Sequence, residues 1–300
     1  MNRYEIIKVN PQGYCGGVLR AIRTVKKIRE ENPDEIITIL GNLVHNTYVT
    51  KALEFYDINT IDAKGVSRYD LLDTINEGIV VFTAHGIHPS VIEKAKSKNL
   101  KYVDASCPFV LQTQKVVNDK LKEGYTIFYI GKKGHPEAES VCFQNKDIYL
   151  IEKENDIPKN IDGPIFVTNQ TTMSIMDLQQ LFDAIKAMYP NALIHDEICN
   201  ATRIRQQAVL DLKDKNVDVL IVVGDPSSNN TAKLADIGKE AGISQVLRIN
   251  DVHELNPEDL NHVHTIALTS GASTPTYLTD QVIEYLETGT KTETRIQDIL

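Results

Sequence analysis

Cys15, Cys107 and Cys199 stand at equal intervals, 92 residues from the first to the second and 92 from the second to the third. Thiols repeated in this way are candidate ligands for a soft metal or a cluster. Three thiolates can hold zinc with an open fourth position, or an iron–sulfur cluster in which one iron lacks a protein ligand. So wide a spacing differs from the local CxxC pairs of structural zinc, which weakens the zinc option without excluding it. A lone cysteine most often fills a small apolar space. Three that share one local pattern do not fit that account, whereas Cys142, in Ser140-Val-Cys-Phe143, breaks the period and is read as packing.

The neighbouring polar residues repeat as well. At 26, 24 and 25 residues past the cysteines, apolar runs end in glycine: Ile36-Ile-Thr-Ile-Leu-Gly41, Thr126-Ile-Phe-Tyr-Ile-Gly131 and Val219-Leu-Ile-Val-Val-Gly224. Four residues on stand His45, His135 and Ser228, and two further on stand Thr47, Glu137 and Asn230. A later apolar run closes each copy on a polar loop: Ala84-His85-Gly86, Gln170-Thr171-Thr172 and Gly271-Ala272-Ser273. Imidazole, hydroxyl and amide donors at such places suit an oxygen-rich anion, a phosphate above all. Glu137 is the only carboxylate at an equivalent position. Beside an anion and thiolates its pKa is expected to rise, making it a proton donor near neutral pH. Glu139 competes for that role, and Lys132 and Lys133 are either anion contacts or solvent-facing. The remaining histidines fall outside the repeat and are read as surface or core residues.

Positioning these groups requires strands that end where the polar loops begin. Strand-like segments Tyr4–Val9, Leu100–Val103 and Ala192–His195 precede the three cysteines. Helical apolar spacing follows them, at Val18, Ile22, Val25 and Ile28, at Val116, Val117 and Leu121, and at Ile204, Ala208, Val209 and Leu212. Continuous apolar strands alternating with helices predict an α/β fold with mostly parallel sheets covered on both faces. Three pseudo-repeated lobes are expected, over residues 1–98, 99–193 and 194–285, with a tail at 286–300. The run Thr288-Gly-Thr-Lys-Thr-Glu-Thr294 marks that tail as loosely ordered. In parallel sheets ligands gather beyond the carboxyl ends of the strands, where every polar residue named above falls. Packing about a pseudo-threefold axis would bring the three sets to one centre.

Bulk composition narrows the function classes. The chain has 300 residues, 42% apolar and 24% charged, with 32 basic against 41 acidic residues and a net charge of −9. That sign argues against nucleic acid as the main partner. No apolar run approaches the roughly 20 residues that span a bilayer, and the start lacks the apolar stretch of a signal peptide, so the expected location is the cytoplasm. Four cysteines in such a chain point to thiols or metal ligands rather than disulfides.

Seven segments then carry a resemblance. Gly13-Tyr-Cys-Gly-Gly-Val18, Val44-His-Asn46, Ala84-His-Gly86, Asp104-Ala-Ser-Cys-Pro108, Gly134-His-Pro-Glu137, Gln170-Thr-Thr172 and Ile198-Cys-Asn-Ala-Thr-Arg203 resemble, in order, the motifs of the 4-hydroxy-3-methylbut-2-enyl diphosphate reductase family. The similarity runs over about residues 13–275. It implies three α/β lobes around a central 4Fe–4S cluster held by Cys15, Cys107 and Cys199. It also implies a diphosphate held by His45, His85, His135, Ser228, Asn229, Asn230 and Ser273, protons from Glu137, and a bond from Thr171 to the substrate hydroxyl. The implied reaction is reductive dehydroxylation of an allylic diphosphate to isopentenyl and dimethylallyl diphosphate, with ferredoxin or flavodoxin as electron donor. One departure concerns Asp225-Pro-Ser-Ser-Asn-Asn230, where counting from Gly224 selects Ser228-Asn229-Asn230 and matching by letters selects Ser227-Ser228-Asn229. A zinc hydrolase using the same thiolates and a non-catalytic anion-binding protein are the alternatives.

Overall fold

Six of the apolar runs become the buried middle strands of three parallel sheets. The computed structural model describes residues 4–300. Residues 1–3, part of the start that was read for a leader, lie outside the described residues. The first repeat runs β1 (Glu5–Lys8), α1 (Gly16–Glu31), β2 (Ile37–Leu40), α2 (Thr47–Phe55), β3 (Ile58–Ile61), α3 (Arg68–Leu71), β4 (Ile79–Phe82) and α4 (Pro89–Ser97). The second runs β5 (Lys101–Asp104), α5 (Pro108–Lys122), β6 (Thr126–Ile130), α6 (Pro136–Cys142), β7 (Ile148–Ile151), β8 (Ile165–Asn169) and α7 (Ile175–Met188). The third runs β9 (Leu193–Ile194), α8 (Asn200–Leu210), β10 (Val219–Val223), α9 (Asn229–Glu240), β11 (Gln245–Ile249), β12 (Thr265–Ser270) and α10 (Thr276–Thr288). The α/β class, the parallel sheets and the threefold repeat are borne out.

Strand order is the same in each sheet: β3-β2-β4-β5, β7-β6-β8-β9 and β11-β10-β12-β1. The two middle strands are almost wholly buried, and the outer two are only partly so. In the middle strands alternate side chains feed opposite faces. Phe128 and Ile130 of β6 pack with Leu178, Phe182 and Ile185 of α7. Ile127 and Tyr129, between them, pack on the other side with Val117 of α5 and Val141 of α6. Covering both faces leaves few polar positions in these strands, so the runs read as nearly continuous rather than alternating.

The strand that opens each repeat joins the sheet of another repeat: the second and third join the sheet of the repeat before, and the first joins that of the third. Strand β5, beyond the expected boundary at residue 98, pairs with β4, and β9 pairs with β8. Strand β1 pairs with β12, Glu5 opposite Thr265. Sheet membership is thus offset from the sequence repeat by one strand.

By compactness the chain divides into two units, Met1–Leu19 with Val44–Tyr56 and Asn200–Leu300, and Arg20–Leu43 with Asp57–Cys199. The first unit contains the β11-β10-β12-β1 sheet and the second contains the other two.

Two local expectations change. The tail beyond α10 is pinned rather than loose: Gln281 Nε2 donates to the Thr292 carbonyl at 2.9 Å, and the Tyr14 hydroxyl donates to the Ile299 carbonyl at 3.0 Å. Ile299 is 2% exposed, an apolar anchor that a composition of threonines hides. Ile204, expected on the inner face of α8, is exposed, and the inner face carries Thr202, Arg205, Gln206 and Val209 instead. Truncating the β6 core tests the packing account. Phe128→Ala is expected to lower unfolding stability by roughly 3–5 kcal/mol and Ile127→Val by about 0.5–1.5 kcal/mol, measured by urea denaturation.

Candidate functional site

Each repeated cysteine sits at the turn from an outer strand into a helix. Cys15 precedes α1, Cys107 caps α5 with Pro108 at the first helical position, and Cys199 precedes α8. Their backbone N–H groups make equivalent bonds. Cys15 donates to the Ala272 carbonyl at 2.9 Å, Cys107 to Ala84 at 3.0 Å and Cys199 to Thr171 at 3.1 Å. The acceptors lie in the three polar loops that follow β12, β4 and β8. The strand ladder therefore ties every cysteine to the loop of its neighbouring strand. All three thiols are partly buried, and none of the four cysteines is in a disulfide. Burial pushes the Cys142 thiol up to about 12, in keeping with packing.

The turn before Cys15 is held tightly. Gly13 has φ +76°, and a Cβ there would lie 2.2 Å from Thr276 Oγ1, so no other residue fits. Its N–H donates to Ser270 Oγ at 2.8 Å, and its carbonyl accepts from Arg205 Nη2 at 2.8 Å. Arg205 was missed in the sequence. An arginine in a helix reads as surface, and only its place two residues past the Ile198–Arg203 segment could have signalled otherwise.

Glu137 and Thr171 form a buried polar pair in the second unit. Glu137 is 2% exposed on α6. Its Oε1 accepts the Thr171 N–H at 2.7 Å and its Oε2 accepts the Thr171 hydroxyl at 3.0 Å. Burial pushes the carboxyl up to about 7, while the two bonds from Thr171 and the buried Tyr129 phenol pull it the other way. The direction matches expectation, but enclosure in the protein produces it, where neighbouring anions were expected to. Glu139 faces the opposite environment. It accepts from the Arg68 N–H and from Arg68 Nη1, each at 2.7 Å, as one half of an ion pair.

His135, in the same unit, caps α6, and its Nδ1 accepts the Glu137 N–H at 3.1 Å. In the neutral ring the proton then sits on Nε2, ready to be donated. The His85 ring stands nearly perpendicular to it, centroids 5.5 Å apart. Lys132 and Lys133 are exposed, which favours their solvent-facing reading.

The first unit gathers a second set. Ser273 Oγ donates to the His45 carbonyl at 3.0 Å. Asn230 Oδ1 accepts the Ala272 N–H at 3.0 Å, and its amide donates to Thr202 Oγ1 at 3.3 Å. That bond repeats the one from Thr171 to Glu137, so the count from glycine pairs Glu137 with Asn230 in space as well as in sequence. Ser228 caps α9 by accepting the Thr231 N–H, and Ser228, Asn229 and Asn230 are all buried. Ser227 is exposed and donates to Asp225 Oδ1 at 2.5 Å. The geometry thus favours the count over the match by letters. Burial pushes Asp225 up, but bonds from Ser227 and Thr47 outweigh it and hold the carboxylate below its usual range.

The profile of the family described as LytB protein matches residues 6–287. The chain belongs to the LytB family. Among LytB relatives, the 4-hydroxy-3-methylbut-2-enyl diphosphate reductase of Listeria monocytogenes serotype 4b (strain CLIP80459) is 46% identical over 287 residues, covering 94% of this chain and 86% of the relative. The reductase of the same name from Exiguobacterium sp. (strain ATCC BAA-1283 / AT1b) is 46% identical over 289 residues, covering 94% and 90%. A solved structure described as the E-1-hydroxy-2-methyl-but-2-enyl-4-diphosphate reductase from Plasmodium falciparum superposes with a TM-score of 0.85 at 32% identity, covering 94% of this chain and 87% of that one. Membership in LytB implies a metal cofactor. The donor set fits one: three partly buried thiols outside any disulfide, each at the start of a helix. Among the described residues no helix is long and apolar enough to cross a membrane.

The Glu137 environment can be read directly. Infrared difference spectra between the protein and Glu137→Gln should show a protonated carboxyl band that fades as pH rises through about 7. Thr171→Val removes a bond to the charged form and should move that midpoint upward. A band already lost near pH 5 contradicts this account of burial.

Proposed function

We propose that this chain reductively dehydroxylates (E)-4-hydroxy-3-methylbut-2-enyl diphosphate to isopentenyl and dimethylallyl diphosphate, the last step of the non-mevalonate isoprenoid pathway. The observation that carries the proposal is the series Cys199–Thr171–Glu137. A buried carboxyl that titrates near neutrality is bonded to a threonine whose carbonyl holds a repeated cysteine. The names of the LytB relatives support the substrate and the pathway.

Cys15, Cys107 and Cys199 hold one 4Fe–4S cluster, which supplies single electrons and one iron without a protein ligand. His45, His85, His135, Ser228, Asn229, Asn230 and Ser273 bind the diphosphate through imidazole, hydroxyl and amide donors. Thr171 bonds the substrate hydroxyl, and Glu137, whose Oε2 accepts from Thr171 Oγ1, holds the proton for the reaction. The overall step takes two electrons and two protons: the C–O bond breaks, the hydroxyl leaves as water with one proton, and an allylic carbon takes the other. Which carbon takes it decides between the two products. A ferredoxin or flavodoxin brings the electrons singly. The protein works in the cytoplasm, where thiols stay reduced.

Anaerobic iron and sulfide quantitation with an electron paramagnetic resonance spectrum should give about four irons and about four sulfides per chain. Cys107→Ser should lose the cluster and its colour. Zinc without sulfide selects the hydrolase alternative, and unchanged absorbance and ligand affinity in Cys107→Ser select the anion-binding protein. Glu137→Gln should still bind substrate while kcat falls by about 10²–10⁴. In the unaltered enzyme kcat should decline as pH rises through about 7, because the proton donor ionises there. Normal turnover by Glu137→Gln reassigns the donor.

A further inference from the structure

Arg68 belongs to none of the segments that carry the family resemblance, yet it is buried, 7% exposed, at the start of α3. One residue takes both oxygens of a carboxylate: its N–H reaches Glu139 Oε1 and its Nη1 reaches Glu139 Oε2, each at 2.7 Å. Gly41 gives the guanidinium a flat floor. A Cβ at Gly41, where φ is +93°, would lie 2.9 Å from Arg68 Nη2 and 3.1 Å from Nε. The arginine and glycine come from the first repeat and the glutamate from the second.

Glu139 lies on α6, two residues past Glu137 and four past the capping His135. A helix of seven residues has little stability of its own, so its place is set by what it packs against. Besides Arg68, its carboxyl end meets the first repeat through Phe143, whose ring lies 5.8 Å from that of Tyr69. At Gly86 a side chain would come within 3.0 Å of Ser140 Oγ.

We propose that Arg68 is a positioning residue for the reaction: through Glu139 it holds α6 where His135 stands beside His85 and Glu137 meets Thr171. Losing the guanidinium leaves the Glu139 carboxylate, whose side chain is 21% exposed, without its cation and frees the helix that carries two groups of the site. A small displacement of Glu137 then costs rate, and one of His135 costs diphosphate affinity.

The inference rests on the function proposed above, and its test separates the two. Arg68→Met, Arg68→Lys and Glu139→Gln are compared with the unaltered iron-loaded protein. The readouts are kcat, KM, affinity for inorganic diphosphate and hydrogen exchange of the amides of residues 137–142. Arg68→Met is expected to lower kcat about tenfold or more, weaken diphosphate binding and speed exchange in α6 at unchanged iron content. Arg68→Lys, which keeps the charge, should recover part of each loss, and Glu139→Gln should fall between. If Arg68→Met does not fold, Glu139→Gln against Arg68→Lys decides. Values of kcat and diphosphate affinity within about twofold of the unaltered protein in folded variants, whatever their melting temperature, overturn the proposal. Absent reductase activity in the unaltered protein overturns the function instead, and the exchange and diphosphate measurements still judge the clamp.

Discussion

Three backbone hydrogen bonds organise this molecule: those from the N–H groups of Cys15, Cys107 and Cys199 to the loop carbonyls of Ala272, Ala84 and Thr171. They prolong the parallel ladders past the ends of the strands, where a parallel sheet offers its binding loops. Each bond requires an outer strand from one repeat beside a middle strand of another. The offset of the sheets is what makes a cysteine and a polar loop neighbours. The helix that starts after each cysteine then sets the direction in which the thiol leaves the backbone.

Against this repetition, one position differs in chemical kind. Glu137 and Asn230 occupy the same place, six residues past a strand-ending glycine, and each accepts the N–H of an equivalent loop residue. An amide there is a fixed acceptor and donor. A carboxyl is an acid as well, and enclosure keeps it protonated to about pH 7. The repeat thus carries a buried ionisable group at one of two equivalent positions and an amide at the other. The second acid on α6 is kept apart by its ion pair with Arg68.

Much of this was legible in the sequence because burial on both faces makes the middle strands mostly apolar. β2, β4, β6, β8, β10 and β12 all stood out as mostly apolar runs. Strands β3 and β11 escaped, because outer strands are partly exposed and Asn59 and Arg248 interrupt them, and β7, though apolar, is only four residues long. The cysteines and Glu137 were visible through their period. Arg68 and Arg205 were not, since their partners, Glu139 at 71 residues' separation and Gly13 at 192, are set by tertiary structure alone. The pinned tail was hidden for the same reason: its anchor is one isoleucine and a carbonyl.

The pairing of β1 with β12 joins segments about 260 residues apart, whereas the other two sheets close from stretches under 70 residues long. During synthesis those two sheets can form while the rest of the chain is still being made. The sheet beside Cys15 must wait for Thr265–Ser270 to leave the ribosome. Its turn receives the Ala272 carbonyl only then, so of the three cysteine turns the one nearest the N-terminus is the last to be completed.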